Sequence, residues 1–415
     1  MRQETIGSIA GNIRRRLEAL REMTATPGEG VTRFPFTEEA RQASEYLMGE
    51  MRAMGLAVRL DPSGSVIGRL EGERPETVMM GSHLDSVLHG GAYDGAAGVV
   101  CALEAARMLV EDGGQPCLSV EVIATNDEEG SRFRTGLFSG KFMLGQLSPD
   151  DLKRQHDADG VSVYDAMRQY GLDPEAAASP AREDLRAFLE VHIEQGPVLE
   201  AEELQIGAVS TIVGIRRARV VIGGRADHVG TMPMDMRQDA LETAARVIAG
   251  LGDAARSLPN AVATVGNLTV EPNIMNIIPS RVAFTVDFRG VRRADIDAQY
   301  GGLLAALERE TALMRTRYSI EELLDAAPVD MRPELRQAIL ASCARRGYAA
   351  REIVSGAGHD AQVFGARIPA AMIFVPSKGG RSHCPEEESS VEDLARASLV
   401  LRDLLNDILE GRAAL

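Results

Sequence analysis

TVMMGSHLD, residues 77–85, opens as a short apolar run and breaks directly into polar groups. The same transition recurs in LSVEVIATNDEEGS, residues 118–131. Two further apolar runs lie at 189–193 and 370–375, and amphipathic helical patterns at 37–54 and 96–111 fill intervals between them. Strands alternating with helices in this way predict an α/β sheet covered by helices on both faces. Ligands of such sheets gather outside the carboxyl ends of the strands, so the residues that terminate these runs are the first place to look for chemistry.

The middle of the chain has a different rhythm. Strand patterns at 218–223, 262–270 and 282–289 accompany helical patterns at 239–254 and 295–314. Two helices among about four strands predict a compact α+β module inserted into the larger domain. Its edges fall near Ser210 and Ala327. The expected organisation is a discontinuous catalytic domain, 1–210 with 328–415, and an inserted module, 211–327. A length of 415 residues also favours two domains over one.

Composition narrows the function. With 45 Lys and Arg against 61 Asp and Glu, the net charge is −16, and no basic block occurs. That argues against a nucleic-acid or anionic-membrane surface, both of which need clustered cations. Cys101, Cys117, Cys343 and Cys384 are scattered without a CxxC pair, so neither a disulfide framework nor a structural zinc site is expected. The polar N-terminus lacks the apolar core of a signal peptide, and no stretch approaches roughly 18–20 uninterrupted apolar residues. The expected location is the cytoplasm.

The seven histidines are informative through their neighbours. His83 and Asp85 follow the first apolar run, and Asp94 lies in Gly90-Gly91-Ala92-Tyr93-Asp94-Gly95, ahead of a helix. Asn126-Asp127-Glu128-Glu129 ends the second run, His192 lies in the third, and Ser382-His383 follows a glycine-rich turn. Imidazoles and carboxylates together suit zinc, manganese, cobalt or nickel. A bridging carboxylate would hold two ions about 3.5–4 Å apart, able to activate water and polarise a carbonyl. Neighbours on an extended segment point in opposite directions, so Glu128 and Glu129 are expected to have different tasks. A solvated acidic loop is the plain alternative, and the apolar strand feeding into the pair argues against it. His89 and His156 have no comparable company and read as surface or structural residues.

The order HLD (83–85), GGAYDG (90–95), DEEGSRF (127–133), HIEQGP (192–197) and GRSH (380–383) resembles the M20-type metallo-aminohydrolases. More narrowly it resembles their carbamoylase branch, which includes N-carbamoyl-L-amino-acid hydrolases, β-ureidopropionases, and allantoate and ureidoglycolate amidohydrolases. The peptidase branch usually has a carboxylate where this chain has His192, and it lacks HIEQGP. The resemblance implies a zinc-peptidase-like catalytic domain with a mixed sheet flanked by helices, and a ferredoxin-like insert that serves as lid and pairs two subunits.

Carried over to this sequence, the resemblance makes His83, Asp94, Glu129, His192 and His383 ligands of two divalent ions, zinc first, with manganese, cobalt or nickel as alternatives. Asp94 would bridge, through a cis peptide to Gly95. Glu128 would act as general base and acid, and Asp85 would orient His83. Gln195, Asn276 and Arg289 would grip a substrate carboxylate, and Gly358 and His359 would line the same pocket. His228 would help hold the developing oxyanion. Its segment, Asp227-His228-Val229-Gly230, departs from the usual Asn-His-Ala-Gly, which puts its local geometry in question.

The expected reaction is hydrolysis of the carbamoyl C–N bond of an N-carbamoyl-L-amino acid or N-carbamoyl-β-alanine. Allantoate, and then an N-acyl amino acid or dipeptide, follow as alternative substrates. A catalytically silent ligand-binding relative is the competing class, but no ligand position and not Glu128 has been lost. A serine hydrolase is disfavoured by the lack of a GxSxG elbow.

Overall fold

A computed structural model describes residues 5–415. The chain forms two compact units, one ending at Ser210 and resuming at Asp330, the other spanning Thr211–Val329.

The first unit is built on a mixed sheet. Its strands run in the order Ala57–Leu60, Val66–Leu70, Leu118–Thr125, Arg74–His83, Leu185–Ile193, Ala370–Val375 and Ile206–Ile212. The four central strands, from Leu118–Thr125 to Ala370–Val375, are mutually parallel, and the outer pairings are antiparallel. Parallel pairing sends their carboxyl ends to one edge. The register fixes them side by side, with His83 opposite Thr125 and His192 opposite Phe374. The polar termini picked out in the sequence are therefore neighbours in space.

Alternating side chains of these strands enter different cores. Val78, Met80, Val120, Val122, Leu189 and Val191 pack under helices Ile6–Arg21, Glu38–Ala53, Ala96–Asp112, Pro333–Arg346 and Val391–Leu409. Helix Ala96–Asp112 is buried along most of its length and lined with alanine, which lets it lie close to the sheet. On the opposite side Phe188 stacks on Phe364 of helix Asp360–Gly365, with ring centroids 4.3 Å apart. A separate aromatic core of Phe36, Phe133, Phe138, Phe142 and Tyr170 supports the short helices that follow the 126–137 loop. The helix expected at 37–54 runs Glu38–Ala53, with the Thr37 hydroxyl accepting from the Ala40 amide as its N-cap.

The second unit is a four-stranded antiparallel sheet in the order Arg317–Ala326, Gly214–Gly223, Arg281–Gly290, Val262–Glu271. Helices Ala240–Arg256 and Arg293–Met314 cover one face through Ala244, Val247, Leu303 and Leu307. The chain order is βαββαβ. Its edge strand Val262–Glu271 leaves Val262 and Leu268 about half exposed.

Candidate metal centre

The site in the first unit assembles from the four parallel strand ends and the loop before helix Ala96–Asp112. His83 Nδ1 lies 3.0 Å from the Asp85 carbonyl, and His192 Nδ1 lies 2.9 Å from the Ile193 carbonyl. Carbonyls only accept, so each Nδ1 carries the proton and each Nε2 presents a lone pair. Both lone pairs converge on Asp94. His83 Nε2 and His192 Nε2 are each 3.2 Å from Asp94 Oδ1, and 3.4 Å from one another. Asp94 Oδ1 is buried and accepts no hydrogen bond among the described residues. Two lone pairs facing an orphaned, buried carboxylate oxygen is an arrangement that a cation completes.

The other carboxylate oxygen has its own set. His383 Nε2 is 3.2 Å from Asp94 Oδ2 and 3.2 Å from Glu129 Oε1. Ligand atoms of His83, Asp94 and His192 lie within 4.8 Å of one another, and so do those of Asp94, Glu129 and His383. Asp94 belongs to both groups. The donor chemistry therefore fits two divalent ions sharing one aspartate.

Electrostatics point the same way. Burial opposes the charge on Asp94, but the close His192, His383 and His83 rings hold its carboxyl well below the usual range. Beside Asp94 and Glu129, the His383 imidazole is pushed up to about 10. Burial works against a charged His83, yet Asp94, Glu128 and Asp85 together raise it well above its ordinary value. Protons are drawn to these rings because the pocket holds more negative charge than its side chains neutralise, and bound cations would relieve the same imbalance.

Glu128 is buried beside this cluster. Burial, together with Glu129, Asp360 and Asp85, drives its carboxyl well above the ordinary range although His83 opposes the shift. A carboxyl so placed takes up a proton readily, as a general base must.

Three expectations meet structural detail, and one of them needs correction. Asp85 contacts His83 through its backbone carbonyl, and the nearer oxygen of its carboxylate is 3.9 Å from Nδ1. The carboxylate instead accepts the Glu128 amide at 3.0 Å and the Glu129 amide at 3.1 Å, aiming the two acids. Burial pushes Asp85 itself up to about 6. Next, Asp94–Gly95 is not a cis peptide; among the described residues the cis bond is Glu271–Pro272. Gly95 meets the turn by taking φ +63°, and a Cβ there would overlap the His83 ring. Lastly, His359 is 1% exposed. Its Nε2 is 2.8 Å from Ser355 Oγ, and its ring packs edge-on against His192 with centroids 4.5 Å apart. It braces a candidate ligand from behind, while Gly358 is half-buried.

Gln195 sits closer to the centre than its substrate role implies. Its Nε2 donates to Asp94 Oδ2 at 2.7 Å, and its Oε1 is buried without a hydrogen-bond partner. The remaining candidates belong to the second unit. His228 is exposed, and its Nδ1 accepts the Gly230 amide at 3.1 Å, which leaves the proton on Nε2 as an outward donor. Asn276 lies beside it, since the Val229 amide donates to the Asn276 carbonyl at 3.2 Å and His228 bridges to Ile277. Arg289 is held by Asp287 through contacts of 2.9 and 3.2 Å. It stands away from the other two. Register puts Arg289 opposite Val262 and Arg281 opposite Glu271, so Arg289 lies at the strand end remote from the 272–280 loop.

Sequence reasoning missed Glu190, whose carboxylate accepts from Ser82 Oγ at 2.7 Å and the Ala361 amide at 2.9 Å behind His192. An acid flanked by apolar residues in a central strand was the available signal. Glu387 was also missed.

A mixed sheet whose strand ends present two imidazole–carboxylate sets around a common aspartate is the architecture of a metal-dependent hydrolase. The chain belongs to Peptidase family M20/M25/M40, whose profile matches residues 79–407. It is 40% identical over 389 residues to an N-carbamoyl-L-amino-acid amidohydrolase of Paenarthrobacter aurescens, covering 92% of this chain and 94% of the relative. It is 38% identical over 401 residues to an allantoate amidohydrolase of Bacillus subtilis strain 168, covering 96% and 97%. A crystal structure of a hydantoinase/carbamoylase family amidase from Burkholderia multivorans superposes with a TM-score of 0.88 at 32% identity, covering 97% of this chain and 98% of that one.

Proposed function

We propose that this protein hydrolyses the carbamoyl C–N bond of an N-carbamoyl-L-amino acid or N-carbamoyl-β-alanine, releasing ammonia, carbon dioxide and the amino acid. The observation that carries the reading is the shared Asp94, with Glu128 beside His83 and Glu129, in a chain whose relatives are named for carbamoyl and allantoate hydrolysis. Allantoate is the second reading, because a relative named for it matches almost as well.

His83, Asp94 and His192 would hold one divalent ion, and Asp94, Glu129 and His383 the other, with zinc favoured by the imidazole and carboxylate donors. Such a pair lowers the pKa of water and polarises a carbonyl oxygen. Glu128 takes a proton from the water that attacks the ureido carbon and passes it to the departing nitrogen. The C–N bond then breaks, and the resulting carbamate loses carbon dioxide. His228 offers its Nε2–H to the carbonyl oxygen as charge builds there.

The second unit would be the lid and would join two copies of the chain. The half-exposed apolar edge Val262–Glu271 supports an interface with a second copy, as does Met275, which is 98% exposed. Eight residues of extended strand separate Arg289 from the loop end of its strand, roughly 25 Å. A small substrate cannot span that distance, so His228 with Asn276 from one copy and Arg289 from the other would serve a single site. Among the described residues no helix is long and apolar enough to cross a membrane.

The test is ammonia release by metal-reconstituted protein from N-carbamoyl-L-amino acids, N-carbamoyl-β-alanine and allantoate. Turnover of one, abolished by EDTA, establishes the reaction and its substrate; no turnover of any by metal-loaded protein refutes it. Arg289→Lys keeps the charge but loses the planar fork, so KM is expected to rise about 10- to 100-fold with little change in kcat. Steady-state kinetics at saturating metal measure this, and an unchanged KM would remove Arg289 from the carboxylate site.

A further inference from the structure

Helix Val391–Leu409 is preceded by Cys384-Pro385-Glu386-Glu387-Glu388, and the middle acid of the three is unlike its neighbours. Glu386 and Glu388 are exposed and pair with Arg381 and Lys378, whereas Glu387 is 5% exposed and turned inward. Its Oε1 accepts the Tyr93 amide at 2.9 Å and the Asp94 amide at 2.9 Å. Its Oε2 lies 2.7 Å from Ser382 Oγ.

Ser382 Oγ is also 2.9 Å from Asp94 Oδ2. A hydroxyl has one proton, so Ser382 can donate to only one of these two carboxylates at a time. If Asp94 spends its oxygens on cations, Glu387 is the acceptor that remains for Ser382. The same carboxylate thus fixes the backbone of the shared aspartate and the residue before His383. Gly91 provides the room: a Cβ there would overlap the Glu387 carboxylate. The glycine is needed for close approach, and the sequence pattern Gly90-Gly91 gains a reason beyond turn formation.

We propose that Glu387 is the positioning residue of the metal centre, holding Asp94 by its amide and His383 by way of Ser382 so that both donor sets stay assembled around the shared carboxylate. This rests on the metal centre argued above and is independent of the substrate. Residues that orient metal ligands without touching the metal typically change affinity about 10- to 100-fold when removed.

The experiment uses full-length protein stripped with EDTA and titrated with Zn²⁺ by calorimetry. Glu387→Ala is expected to weaken Zn²⁺ binding about 10- to 100-fold. Gly91→Ala, which displaces the carboxylate while leaving every ligand in place, shifts affinity in the same direction. Glu387→Gln retains an oxygen for the two amides and stays nearer the wild type. At saturating Zn²⁺, kcat of Glu387→Ala recovers and KM is unchanged, whereas a distorted substrate pocket would raise KM. Wild-type Zn²⁺ affinity in Glu387→Ala overturns the proposal, as does Glu387→Gln binding as weakly as Glu387→Ala. If Glu387→Ala does not fold, Gly91→Ala decides: weakened binding supports the proposal and wild-type affinity overturns it. Because metal binding is read directly, a failed substrate assignment leaves this result intact.

Discussion

Glu128→Gln is expected to lower kcat about a thousandfold, within the 10²–10⁴ range that a positioned acid–base group supplies, while metal binding and thermal stability stay near the wild type. The amide has nearly the shape of the acid, so packing is kept, and the backbone amide that donates to Asp85 is untouched. What is lost is a proton site. Glu128 is surrounded by Glu129, Asp360 and Asp85, and burial adds to their effect in raising its carboxyl. A neutral glutamine in that setting adds no charge to a crowd of acids, which should not weaken the fold. Loss of kcat with retained metal therefore isolates proton transfer from ligation. If Glu128→Gln kept more than about a tenth of wild-type kcat, the proton would have to travel through another group.

Asp94→Ala should be more damaging, because a single carboxylate belongs to both donor sets. Removing it leaves His83 and His192 on one side, and Glu129 and His383 on the other, with nothing between them. Activity should fall to the assay background, and dialysed protein should retain fewer than half the metal equivalents of the wild type. His383→Ala, which touches one set only, should retain more. Stability gives a readout that does not need substrate. A ligand bound only to the native state stabilises it in proportion to RT ln(1 + [L]/Kd), so EDTA should lower the Tm of the wild type and leave that of Asp94→Ala unmoved. Equal EDTA sensitivity in both proteins would show that Asp94 does not hold the metal.

The strand ends were legible because two simple periodicities meet there. An apolar run that stops at a histidine or an acid marks a parallel strand reaching its carboxyl edge, and His83, Glu129 and His192 are all placed by that rule. The inserted module was legible through its own alternation of strands and helices, though strand Arg317–Ala326 was not assigned. Its pattern is mostly exposed, with Glu321 and Glu322 in the run, so it lacks an apolar signal. What could not be read were the supports. Whether Asp85 would use its carboxylate or its carbonyl on His83 depends on a rotamer, not on composition. His359 was placed at the pocket by resemblance alone, and its packing against Phe374 and His192 has no signal in the sequence. Glu387 is the middle of three consecutive acids, a pattern that carries no signal of burial. Only the fold turns it towards an amide 293 residues earlier.

That separation sets a clock on assembly. Strands Arg74–His83 and Leu118–Thr125 can pair early, but Asp94 waits for the loop that carries Ser382, His383 and Glu387. At synthesis rates of about 5–20 residues per second, the interval between Asp94 and Glu387 leaving the ribosome is roughly 15 to 60 s. Throughout it the nascent chain displays His83, Asp94, Glu129 and, later, His192 without the strut that arranges them. The inserted module fills much of that wait, a self-contained sheet able to fold while the centre is still open. A chain cut between His192 and Ser382 would keep His83, Asp94, Glu129 and His192 while lacking both His383 and the carboxylate that fixes the Asp94 amide.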